Sequence, residues 1–416
     1  MTPQKRRTVR LSLLSTTPWI ITFAFVILGA FWGSWNAALA SVQQAFGLSN
    51  TKLGVLLAIG VTVGAAAGAA VGHLGRRRRP LHVLCAILGL WGVLLIPLFS
   101  LTTYLGFALS FSAVQIVMGA VDAQMNVGAT AALYNDPGAL VRFHGLFNLG
   151  CIAGAFGTAA VGVTTIGGSR LWPLMALVLI AASMWWWTRS RAKPDEALSE
   201  DVHVTLASPA GDASVITAVS NHGGIVAILR RDRMVGLVFV FAAAALVEGG
   251  VFTWGVLYLR SELHIGLFVG ASAYALGNVI AGVGRFFGGP LISSVVPLRA
   301  LSLGSAVTAV GLLIEAKTHT EVIAVTVFVL AAAGVSLNWP LLMADVGSRS
   351  SSPGSTVGAF TAAGYLGWVA GAPLIGIVAD QWSLSTGLIS LGFLAFVVGL
   401  AAVVLGRVNP TKVESR

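Results

Sequence analysis

The stretch MGAVDAQMN (118–126), VGATAALYNDPGALV (127–141), RFHGLFNLGCIAG (142–154) decides how the rest of the chain is read. Two apolar segments of helix length meet at the turn NDPG (135–138), and polar residues sit well inside both. Asp122 and Asn126 are four apart and share one helix face; His144 and Asn148 share a face of the next helix in the same way. Counted outward from the turn, Asn126 and Asn148 fall at nearly the same depth, with Asp122 about a turn deeper.

In a soluble core such residues are ordinary, but this composition is not that of a soluble core. Of 416 residues, 56% are hydrophobic and 10% charged, with a mean hydropathy of +0.87. Soluble domains carry roughly a quarter charged residues. Apolar runs fall at 18–40, 53–72, 81–99, 104–132, 142–166, 171–188, 234–258, 267–289, 297–315, 321–343, 354–379 and 384–406. Each is about the 20 residues that span a bilayer as a helix. The expectation is an all-α membrane protein with twelve transmembrane helices. The first run is long and lacks a small-residue cleavage site, so it reads as a retained span. Cys85 and Cys151 lie inside apolar runs and read as small buried residues, not as a disulfide.

Basic residues set the predicted orientation. With the N-terminus inside, Lys5, Arg6, Arg7, Arg10, Arg76 to Arg79, Arg142, Arg189, Arg191, Lys193, Arg230, Arg231, Arg233, Arg299, Arg349, Arg407, Lys412 and Arg416 all face the cytoplasm. The other face receives Lys52, Arg170, Arg260 and Lys317, so the bias is twenty against four. That bias predicts a multi-pass protein of the cell inner (plasma) membrane with both termini cytoplasmic. The net charge of +10 is then topology plus attraction to anionic headgroups, and no nucleic-acid partner is expected. Trp185, Trp186 and Trp187 close the sixth span as an interfacial belt would.

The one long polar stretch divides the chain into an N-terminal six-helix half (1–188), a cytoplasmic linker (189–232) and a C-terminal six-helix half (233–416). Its Ser, Asp, Glu and Pro content marks a flexible linker, and 215–229 could form a short surface helix. A shift of 217 residues superposes Gly33, Gly60, Gly72, Gly150 and Gly154 on Gly250, Gly277, Gly289, Gly367 and Gly371. That constant offset suggests an internal repeat. Gly60, Gly64, Gly68 and Gly72 form one face of span two, where small residues allow close helix packing or a sliding contact between the halves.

Charged groups inside spans are costly and mark pathways or partners. Asp122 in span four and Glu248 near the middle of span seven are the candidate proton-coupling residues, since a buried carboxyl can exchange protons near neutral pH. Arg285, a turn from the end of span eight, is assigned with Arg76 and Arg77 to a structural or gating role. Glu315 ends span nine at the expected interface and receives no role. Asn36, Asn126, His144, Asn148, Trp254 and Asn338 are the candidate substrate contacts. Gln115, Gln124 and Asn278 belong to the same uncharged polar set, whose members can equally be helix–helix hydrogen bonds. Trp32, Trp35, Trp254 and Trp339 offer rings for stacking. Pro340 follows Asn338 and Trp339, and a mid-span proline permits a kink.

No GxxxxGK[ST], HExxH or GxSxG occurs, and the seven histidines are scattered. Neither ATP-driven transport nor an enzyme is expected, and no cofactor or metal. The expected partners are a small-molecule substrate, protons and the lipid bilayer, and the chain is expected to be a monomer.

Two six-span halves, a central loop and the basic loop GHLGRRRRP (72–80) resemble the major facilitator superfamily across the whole chain. The loop keeps the superfamily's glycine and bases but lacks its acid, as does GRFFGGPL (284–291). The opening stretch resembles the fucose-permease-like branch: an acid with Asn four later (Asp122, Asn126), then Arg142, Phe147, Asn148 and Gly150. EGGVFTW (248–254) with YLR (258–260) is similar to span seven of related permeases. The resemblance implies that the span-four carboxylate carries substrate-linked proton exchange. Counting back from QQAF (43–46), the branch's span-one carboxylate falls on Asn36, which binds hydroxyls but carries no proton. Thr253 likewise stands where relatives often have an acid.

The expected function is therefore secondary active transport, proton-coupled, moving a small polar solute such as a sugar by alternating access between the halves. Two other readings stay open: proton-driven efflux of amphipathic, drug-like compounds, and a non-transporting sensor or scaffold on the same fold.

Overall fold

In lipid every backbone polar group must be satisfied within the chain, so apolar runs of this length fold as helices. The computed structural model describes residues 19–74, 80–132, 137–192, 222–294, 297–336 and 338–408. The first six spans are Trp19–Ala45, Asn50–Leu74, Pro80–Leu98, Tyr104–Ala132, Pro137–Val161 and Leu171–Ala192. The helix His222–Arg231 follows, overlapping the stretch of linker expected to be helical. Spans eight, nine, eleven and twelve are Leu267–Ser294, Pro297–Glu315, Pro353–Gln381 and Leu384–Val408.

Spans seven and ten are interrupted. Span seven runs as Val235–Gly250, a π-turn at Val251–Gly255, and Val256–Ser261. Such turns bend a helix and release backbone groups from the regular ladder. Span ten is Glu321–Val335 followed by Asn338–Arg349, with Pro340 in the first turn of the second piece. Proline is tolerated there because the first N–H groups of a helix have no internal partner. Among the described residues, eleven helices are long and apolar enough to cross a membrane, and the shorter apolar Glu321–Val335 supplies the remaining span.

The outward faces confirm lipid as the solvent. Leu105, Leu109, Phe239, Leu303, Leu366 and Phe393 are each more than 60% exposed, a distribution that water would not tolerate over so many helices. Inside, aromatic rings fill the first half. Trp35 is 1% exposed, stacks on Phe111 at 4.3 Å and lies 6.0 Å from Trp172. Trp35 is thus core packing and offers no free ring.

The repeat is visible in the packing. Span one packs on five, two on four and three on six; seven packs on eleven, eight on ten and nine on twelve. Gly150 and Gly154 sit against Val26 and Ala30 of span one, while Gly367 and Gly371 sit against Ala242 and Leu246 of span seven. Gly60 faces Phe111 and Gln115 of span four, and its counterpart Gly277 faces Ala332 of span ten. Gly64 and Gly68 pack on Gly119 in the same way. The glycine faces of spans two and five are therefore seams within a half, and the expected sliding contact between halves lies elsewhere.

Between the halves, span five meets span eight and span two meets span eleven. Gly54 approaches the backbone of Ala372, Gly376 approaches Asn50, and the rings of Phe156 and Phe268 lie 6.3 Å apart. All these contacts lie at the bundle face opposite the termini, which is closed.

Candidate functional site

The polar residues of the seam are held by helix spacing. Asn278 lies one turn beyond Tyr274 on span eight and anchors itself by donating from Nδ2 to the Tyr274 carbonyl at 3.0 Å. Its Oδ1 accepts from Nδ2 of Asn148 on span five at 3.1 Å. On span one, Asn36 donates to the Trp32 carbonyl at 2.9 Å and to the Tyr274 hydroxyl at 3.5 Å. Asn36, Asn148, Tyr274 and Asn278 are all less than 10% exposed. They form a neutral hydrogen-bonded ladder from span one through span eight to span five, joining the two halves. Tyr274 was not singled out from sequence, although its position four before Asn278 puts it on the same face.

Asp122 and Asn126 are half-buried and pair within span four. Asn126 Nδ2 donates to the Asp122 carbonyl at 2.9 Å and to Oδ1 at 3.2 Å. Glu248 is 8% exposed and lies three residues before the π-turn. Its neighbour Gly249 packs on the indole of Trp368, where an added Cβ would stand 3.1 Å from Cδ1. His144 is half-buried and meets the ring of Phe25 edge-on at 5.3 Å, tying span five to span one. Trp254 is 1% exposed within the π-turn, so its ring is packed. Asn338 is 4% exposed and opens the second piece of span ten. Next to it, Trp339 contacts Phe241 at 4.8 Å, Trp368 at 5.4 Å and Tyr365 at 6.4 Å. Gln124 donates to the Val71 carbonyl at 3.0 Å, a tie between spans four and two. Arg76 and Arg77 lie outside the described residues, as does the side chain of Arg285.

Three carboxyls outside the expected set take defined positions. Glu315, read from sequence as interfacial, is 0% exposed. Asp345 is 4% exposed and pairs with Arg349 one turn on, at 2.7 Å to Nη2 and 2.8 Å to Nε. Its i, i+4 spacing was readable, but span ten was expected to end before it. Asp380, just past the expected end of span eleven, receives the backbone N–H groups of Asn50 and Thr51, both at 2.8 Å.

The ladder is made of neutral hydrogen-bonding groups contributed by both halves. The Major Facilitator Superfamily model matches residues 135–372 of the chain. An uncharacterized MFS-type transporter of Yersinia pestis is 23% identical over 382 residues, 91% of this chain and 93% of that protein. Among solved structures, the nucleoside transporter NupG superposes with a TM-score of 0.67 at 12% identity, covering 93% of this chain and 98% of that one. The Escherichia coli fucose:proton symporter FucP superposes with a TM-score of 0.57 at 15% identity, covering 92% and 97%. At these identities the structural likeness shows the fold alone. With more than half its length matched by the family and its two six-helix halves built on one pairing scheme, the chain belongs to the major facilitator superfamily and is a membrane transporter.

Proposed function

We propose that the protein is a proton-coupled secondary transporter of a small polar solute, working by alternating access across the inner membrane with both termini in the cytoplasm. The observation that carries this reading is the Asn36–Tyr274 and Asn148–Asn278 ladder across the halves. Neutral amides and a phenol match the hydroxyls of a sugar-like solute, and a solute bound there replaces bonds that otherwise hold the halves together. His144, Asn126 and Asn338, on spans five, four and ten, are the further candidate solute contacts. Asp122 and Glu248 supply the proton sites, because protonation removes the charge that disfavours closing a dry cavity around a carboxylate.

The test is acidification of proteoliposomes on adding sugars, nucleosides and other hydroxylated solutes. Solute-dependent proton movement supports the reading. Unchanged pH-dependent uptake in Asp122→Asn would remove Asp122 from the coupling, and the same result in Glu248→Gln would remove Glu248. A second reading, export of amphipathic compounds, is favoured by the half-buried ring group of Trp339, Tyr365 and Trp368. Countertransport of a dye against protons is its signature.

A further inference from the structure

Two carboxyls flank the π-turn of span seven. Glu248 precedes it by three residues, and Glu315 of span nine packs against its far end. A Cβ added to Gly255, the last residue of the turn, would stand 3.5 Å from Glu315 Oε1 and 2.9 Å from the Phe328 ring. Glu315 is 0% exposed, and neither carboxyl oxygen has a hydrogen-bond partner among the described residues.

The charged groups around it are engaged elsewhere. Lys317, His319 and Glu321, in the turn that follows, are exposed. On span seven, Arg260 donates to the Ile265 carbonyl at 2.7 Å, and the Tyr258 hydroxyl meets Ser385 of span twelve at 3.5 Å.

An ionised carboxylate sealed among apolar side chains without a donor is costly, whereas the neutral acid needs only an acceptor for its one O–H. A π-turn is an element of a helix that loosens backbone carbonyls. We propose that Glu315 is a proton-binding site, distinct from Asp122 and Glu248, and that the π-turn of span seven gates it. With the turn packed on Glu315 through Gly255, Glu315 holds its proton. Displacement of the turn admits water and a donor, and the proton leaves. The site ties a proton to the shape of span seven, and it stands whether or not Asp122 and Glu248 carry the coupling proton.

The experiment is infrared spectroscopy of the full chain in lipid without any solute, reading the C=O band of protonated carboxyls against pH. The expected result is a band near neutral pH that is lost in Glu315→Gln and persists in Glu248→Gln. Gly255→Ala pushes a methyl against Phe328 and the carboxyl, so the band changes frequency and titrates away at lower pH. A Glu315→Gln spectrum superposable on wild type overturns the proposal. So does a Gly255→Ala band that titrates as wild type does, and this second arm decides the matter if Glu315→Gln fails to fold. Because no transport is measured, failure here leaves the transport reading untouched.

Discussion

Asp380, in the last turn of span eleven, seats its carboxylate on the first N–H groups of span two, Oδ1 on Asn50 and Oδ2 on Thr51, each at 2.8 Å. These are the donors a helix leaves unpaired at its start, and the helix dipole favours a negative charge there. The bond joins one half of the transporter to the other at the closed face. Gln43 steadies the receiving end by donating to Asn50 Oδ1 at 2.9 Å.

Asp380→Ala is expected to destabilise the closed face by about 0.3–1 kcal/mol, roughly a two- to five-fold shift toward opening. The check is the distance distribution between spin labels at the exposed positions Lys52→Cys and Trp382→Cys. A distribution unchanged by Asp380→Ala would show that the contact holds nothing.

The glycines predict a separation of folding from movement. Gly376 meets the Asn50 carbonyl across the halves, while Gly119 meets Gly64 within the first half. Gly376→Val should leave each half folded but prevent closure, giving a normal thermal transition with transport lost. Gly119→Val overpacks a seam that never opens, at a cost of about 1–3 kcal/mol, and should lower the transition itself. Thermal unfolding in detergent alongside a transport assay distinguishes the two. Equal loss of stability in both variants would contradict the assignment of seams.

The helices were legible because lipid imposes a single solution on an apolar run, so span four was expected at 104–132 and is found at Tyr104–Ala132. The interruptions were only half legible. Pro340 announced a break in span ten, but no residue type announces the π-turn at Val251–Gly255, which packs against spans nine, ten and twelve. Asn36, Asn148 and Asn278 stood out as amides in apolar runs. Their partners did not, since Asn148 and Asn278 are 130 residues apart and no spacing rule reaches across two halves. Glu315 ends span nine as expected, and only tertiary packing reveals that its side chain is covered.

Asp232, at the end of the linker, accepts from the Ser351 backbone N–H at 2.9 Å and from its hydroxyl at 2.9 Å, just before span eleven begins. Those bonds, the backbone one first, hold its carboxyl below the usual range. A carboxylate whose folded pKa is depressed contributes stability above its unfolded value and loses it as pH falls through the folded one. The docking should therefore be constant around neutral pH and loosen only below the ordinary carboxylate range. Hydrogen exchange at the Ser351 amide is the readout. Asp232→Asn should speed it near neutral pH, and exchange protection that faded already between neutral and mildly acid pH would contradict the sign.

Asn148 and Asn278 bind each other at 3.1 Å, and both are less than 5% exposed. Replacing one leaves a buried amide that must find another partner, a cost of about 1 kcal/mol for a hydrogen bond between membrane helices. Asn148→Leu and Asn278→Leu should each lower stability by that amount, and the double variant by less than the sum, because it leaves no orphaned partner. Transport should respond differently. If the pair trades its mutual bond for a solute, all three variants lose uptake, and the double variant recovers stability without recovering activity. Thermal unfolding and uptake measured on the same preparations separate the outcomes. Full uptake in the double variant would make the pair a structural pin between spans five and eight and would remove it from the substrate site.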